Sequence, residues 1–199
     1  NGQQVVELTK ASNGLTMMAA ASSGDTGADT SANVVTLKAV RDLNVANTGS
    51  IDDGTLVLPD GKDSQGRVVR GMVGWTLTGL PSGTSVKGAT LRINVTDPSS
   101  GSYNVYALTG ASGSWSESSA TWAQANAVGT LLASFTPSGT GTRDIPLNAA
   151  GVALVQGWLN GTTANHGVVI VSAGTTDGVD FTSVEGGNPA QLLVQVDSS

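Results

Sequence analysis

The chain of 199 residues contains no cysteine, which excludes disulfide staples, thiol chemistry and every Cys-type metal site. Histidine occurs once, as His166. With no second histidine it is neither half of a zinc site nor the base of an identifiable triad, and it is expected to serve its turn structurally. Charged residues make up only 12%. No segment approaches the ~20 continuous apolar residues of a membrane-spanning helix, so membrane insertion is not expected. Basic residues are outnumbered, nine Lys and Arg against fifteen Asp and Glu, for a net charge of −6 and an isoelectric point near 4.4. Phosphate recognition needs clustered Lys and Arg, so no nucleic-acid partner is expected.

What is present is the vocabulary of short strands and frequent turns: 27 glycines with abundant Ser, Thr, Asn, Val and Ala. The length suits one sandwich or barrel domain, with or without an appended arm. Strand signals recur over 34–40, 54–58, 67–77, 85–95, 102–108, 129–135, 141–145, 167–171, 178–182 and 191–196. Turns such as Pro59-Asp60-Gly61 and Thr136-Pro137-Ser138-Gly139 divide them. One convincing helix lies between: Asn148 can cap it, Val152, Val155, Trp158 and Leu159 form one stripe, and Gly161 stands where it should end. Roughly ten strands and one short helix predict an all-β fold, a jelly-roll-like two-sheet antiparallel β-sandwich.

Residues 1–36 read as an N-terminal arm or linker ahead of a domain over 37–199. Two short apolar segments, holding Val5, Val6 and Leu8 and then Leu15, Met17 and Met18, precede a Gly/Ser/Thr/Ala tract of linker composition. Such an arm can complete a neighbour's sheet, and head-to-tail repetition builds a filament. It can equally fold back as an edge strand of its own domain. The chain opens at Asn1 without a basic n-region or apolar h-region, and is expected to be a mature or excised product.

The run Trp115-Ser-Glu117-Ser-Ser-Ala-Thr121-Trp122, with Trp158-Leu-Asn160-Gly161, Ala164-Asn165-His166-Gly167, Phe181-Thr-Ser183-Val-Glu185 and Pro189-Ala-Gln-Leu192-Leu-Val194, resembles the extracellular β-sandwich family labelled DNRLRE. Arg67 to Trp75 and Ala89-Thr90-Leu91 match that family's early strands. The resemblance spans roughly residues 40–197 and includes alginate-binding carbohydrate-binding modules and disaggregatase-related domains. It implies a protein outside the cell and a core placement for Trp115, Trp122 and Trp158. The hexapeptide behind the label is absent.

Catalysis is not expected. Sugar hydrolysis needs a second carboxylate set at a defined distance from Glu117, and the sequence nominates none. Glu117 reads instead as a polar anchor beside Trp115, Thr121 and Trp122, with Asn165 and His166 in a structural turn. For carbohydrate, Lys62, Arg67, Arg70 and Arg92 could line a face suited to an acidic polysaccharide, and Tyr103 and Tyr106 could stack on sugar rings. Trp75 sits in an apolar strand and is expected to be buried. No cofactor is required; calcium is the one candidate, through the loop carboxylates Asp52, Asp53, Asp60 and Asp63, although these are ordinary turn residues too. Asn94-Val-Thr96 and Asn160-Gly-Thr162 fit the glycosylation sequon. The main functional expectation is a non-catalytic extracellular structural subunit that binds copies of itself through the arm. The alternative is a carbohydrate-binding module with a polysaccharide as partner.

Overall fold

A computed structural model describes residues 33–81, 83–174 and 177–197. Twelve strands among the described residues form two antiparallel sheets, six strands in each. In the first sheet β1 (Asn33–Lys38) pairs with β12 (Gln191–Val196), which pairs with the long β6 (Val86–Asp97). Beyond them lie β11 (Asp180–Thr182) and β4 (Leu56–Val57), while β9 (Gly141–Pro146) takes the other edge of β6. The second sheet runs β3 (Ile51–Asp52), β2 (Arg41–Ala46), β5 (Val69–Gly74), β10 (Val168–Ser172), β7 (Tyr103–Leu108) and β8 (Val128–Phe135).

Alternation explains the first sheet. In β6, Ala89, Leu91, Ile93 and Val95 are buried while Thr90, Arg92 and Asn94 face outward, as a half-buried strand of period two requires. In β10, Val168, Val169 and Ile170 are all buried. That strand is covered on both sides: Val168 and Ile170 join the main core between the sheets, and Val169 joins a second cluster with Leu43, Met72, Trp115 and Ala125. The cover is the long excursion between β7 and β8, residues 109–127, folded over the outer face of the second sheet.

The helix expected after Asn148 is present as α2 (Ala149–Leu159), below a four-residue α1 (Trp122–Ala125) that the sequence reading did not anticipate. Asn148 Oδ1 accepts from the Gly151 amide at 3.0 Å, and Gly161 follows with φ 68°. Gln156 fastens the helix to β6, accepting from the Val86 amide at 2.8 Å and donating to the Thr84 carbonyl at 3.1 Å. Val155 and Trp158 enter the main core, so the helix closes the sandwich between β6 and β8.

The all-β two-sheet sandwich expected from the turn spacing is therefore what forms. Two strands were not anticipated, β2 and β3. In β2 the apolar Leu43 and Val45 face outward, under the excursion, while the polar Asp42 and Asn44 face inward and are also buried. A strand buried on both faces with carboxylate and amide inside has no ordinary amphipathic signature. Strand β1 takes in residues 33–36, which composition had assigned to the arm. The arm residues Val5, Val6, Leu8, Leu15, Met17 and Met18 lie outside the described residues. No helix among the described residues is long and apolar enough to cross a membrane.

Candidate functional site

The 109–127 excursion is pinned by its tryptophans and glutamate. Trp115 is buried, its Nε1 donates to the His166 carbonyl at 2.8 Å, and the Arg41 guanidinium stacks 4.2 Å from its ring while donating to the Trp115 carbonyl. Glu117 Oε1 accepts from the Asp42 amide at 3.0 Å. Thr121 opens α1 with a capping box: its hydroxyl accepts from the Gln124 amide, and the Gln124 side chain accepts from the Thr121 amide. Asn165 Nδ2 donates to the Trp75 carbonyl and its Oδ1 accepts from the Gly167 amide, so it shapes the turn into β10. Glu117 is tied to β2, and Trp158 is buried in the main core.

Trp122 corrects the core expectation. It is only half-buried, and the Arg70 guanidinium lies 4.8 Å from its ring centre. Arg70 points outward from β5, donates through Nη1 to the Ala125 carbonyl at 3.0 Å, and pairs with no carboxylate among the described residues. Burial, partly offset by the nearby Tyr106, lowers its pKa. Tyr106 projects from the same face, half-buried, with Asn104 Nδ2 3.4 Å from its hydroxyl. Asn104 Oδ1 accepts from the exposed Ser134 at 2.6 Å. Arg70, Trp122, Tyr106, Asn104 and Ser134 thus share the outer face of the second sheet.

The other nominated sugar contacts are elsewhere. Tyr103 is no stacking residue: it is fully buried, its hydroxyl donates to the Asp177 carbonyl at 2.7 Å, and its ring lies 5.6 Å from that of Phe135. Arg92 is on the first sheet, held bidentate by Asp144 at 2.6 and 2.7 Å. Arg67 is bound through its guanidinium and amide to Asp63, and Lys62 is exposed beside it. So four basic residues read as one face are dispersed over three places.

Two groups of carboxylates divide the four loop aspartates. A cleft of about 680 Å³ is lined by Asp52, Asp60, Asp63, Asp97, Asp177 and Asp180, with Arg67 as its one basic residue. Burial raises Asp60, with Asp63 and Asp177 adding to it, and raises Asp180 to about 6, with Asp97, Asp60 and Asp177 as further causes. Asp63 carries a desolvation cost but is held low by the hydrogen bonds from Arg67 and Gln65. Asp53 instead joins Glu117 and Glu185, three carboxylates with oxygens within 4.8 Å of one another. Beside them Asp42, 1% exposed, is raised to about 7 by burial, despite a hydrogen bond from the Val184 amide, with Glu185, Glu117 and Asp53 contributing repulsion. Neither Asp42 nor Glu185 was nominated as a site residue. The only signal was Glu185 closing the Phe181-Thr-Ser183-Val-Glu185 motif.

No curated protein matches the chain. A family model does, over residues 38–196, from the last residue of β1 to the end of β12. The match carries the carbohydrate-binding part of the resemblance, not its DNRLRE label or the disaggregatase link, and it backs the alternative functional reading ahead of the filament subunit. The chain belongs to carbohydrate-binding module family 96.

Proposed function

We propose that this chain is a non-catalytic extracellular module that holds a polysaccharide on the outer face of the second sheet, at Arg70, Trp122 and Tyr106. Membership of a carbohydrate-binding family supports the function. Arg70 supports this surface: of Lys62, Arg67, Arg70 and Arg92 it alone stands beside aromatic rings, the half-buried Trp122 and Tyr106, and it pairs with no carboxylate among the described residues. A guanidinium free of carboxylates is suited to a uronate, and indole and phenol edges to the apolar faces of sugar rings. The acidic cleft is the poorer candidate for such a chain, since its carboxylates would repel uronates.

Affinity electrophoresis and calorimetry on alginate, pectin and cellulose test this. Alginate or pectin is expected to bind and to weaken with added salt. Arg70→Ala and Tyr106→Ala should each lose ~10-fold or more in affinity, whereas Arg92→Ala on the opposite sheet should change it little. Absence of binding to all three polymers overturns the function. Binding that survives both substitutions overturns the surface.

A further inference from the structure

Four carboxylates meet where β2 approaches the β3–β4 turn, the 109–127 excursion and the loop between β11 and β12. Oxygens of Asp53, Glu117 and Glu185 lie within 4.8 Å of one another. Two oxygens bound to one Ca²⁺ at 2.3–2.6 Å are separated by no more than ~5 Å, so the spacing fits a shared ion. The Arg41 guanidinium acts on Glu117 and is itself engaged with Trp115.

A second observation concerns the residue on which all three carboxylates act, Asp42. Asp42 is 1% exposed; its Oδ2 accepts from the Val184 amide at 3.0 Å, and its Oδ1 is buried with no hydrogen-bond partner. The Asp42 amide donates to Glu117 on one side, and Val184 leads into Glu185 on the other. The orphan oxygen therefore belongs to a carboxylate held between two members of the cluster. Buried polar atoms are nearly always partnered, and an unpartnered one beside three like charges lacks a counter-charge.

We propose that Asp53, Glu117 and Glu185, with Asp42 on the buried side, form a Ca²⁺ site. The donors are all oxygen, which suits a hard cation over zinc or copper, and Asp53, Glu117 and Glu185 come from three separate segments, which suits the flexible coordination of Ca²⁺ better than the strict octahedron of Mg²⁺. The ion would tie the excursion carrying Trp122 and the β11–β12 loop to the edge of the second sheet. This inference does not depend on where, or whether, sugar binds.

The test uses the whole chain, stripped with EDTA and titrated with CaCl₂ by calorimetry, by Tb³⁺ luminescence and by thermal melting. One saturable site is expected, with a rise in Tm of ~5 °C or more at millimolar Ca²⁺. Asp53→Asn, an exposed position whose change leaves the packing intact, and Glu117→Gln, which keeps the acceptor for the Asp42 amide, should each weaken binding ~10-fold or more. In EDTA, Asp53→Asn should melt no lower than the wild type, because one repelling charge has gone. No saturable binding up to ~10 mM, or unchanged affinity in Asp53→Asn, overturns the site. Binding that survives Asp53→Asn but is lost in Asp180→Asn moves the ion to the acidic cleft and overturns it as well.

Discussion

Gly167 enters β10 with φ 77°, and a Cβ there would run into the Val73 carbonyl oxygen of the neighbouring strand. Gly161, at the end of α2, has a similar φ of 68° but nothing within 4 Å of an added Cβ. The pair separates backbone strain from collision. Gly161→Ala should cost about 1 kcal/mol, the strain of a left-handed residue alone. Gly167→Ala should cost ~2 kcal/mol or more, read as a lower urea midpoint at unchanged slope. Gly161 was legible in the sequence as a helix stop, whereas the role of Gly167 depends on Val73 in a strand distant in sequence. The tyrosines show how far parity reaches. Tyr103 and Tyr106 are three apart in one strand, so they face opposite ways and only one can meet solvent; the sequence does not say which side is covered.

At the scale of elements, β2 is held by an amide acting across the gap between sheets. Asn44, 3% exposed, donates to the Leu56 carbonyl at 2.9 Å and accepts from the Leu58 amide at 2.6 Å, clasping β4 as a strand neighbour would. Asn44→Ala removes the partner of two part-buried backbone groups, and a loss of ~1–3 kcal/mol is expected by denaturant titration. Asn44→Asp should rescue little, since a carboxylate cannot donate to Leu56. The helix α2 was readable from its cap, stripe and terminal glycine because all three are local. The short α1 carries an equally local capping box at Thr121 and Gln124, but four residues are too few for periodicity to show. Strand β2 hid because its inward side chains are polar.

The whole molecule concentrates negative charge at the cleft between the sheets. Asp180 and Asp97 are direct cross-strand neighbours, an unfavourable pairing of like charges, and Asp60 and Asp177 face them. The folded Asp180 pKa of about 6 lies above the ordinary carboxylate value. The native state then holds a proton that the unfolded chain releases, so stability falls as pH rises from about 4 through 6 and levels off above. Metal-free protein should be more stable at pH 5 than at pH 7. Asp180→Asn should flatten that slope by on the order of 1–2 kcal/mol, after allowance for solvent in the cleft, as measured by melts at constant ionic strength. The overall sandwich was legible from turn spacing, which is a property of the chain in order. The carboxylate groups were not, because Asp42 meets Glu117 across 75 residues and Val184 across 142. Such convergence is set by topology rather than by neighbouring residues.

The register of β1 against β12 places Asn33 opposite Val196 and Lys38 opposite Gln191. The start of β1 and the end of β12 consequently lie side by side. Tension applied at those two ends would pull the strands apart end-first, loading their backbone bonds in succession as in a zipper instead of all at once in shear. The six pairs from Asn33 to Lys38 are the first to part. The second sheet, with Arg70 and Trp122, takes no share in that ladder, so it can outlast the parting of those two strands.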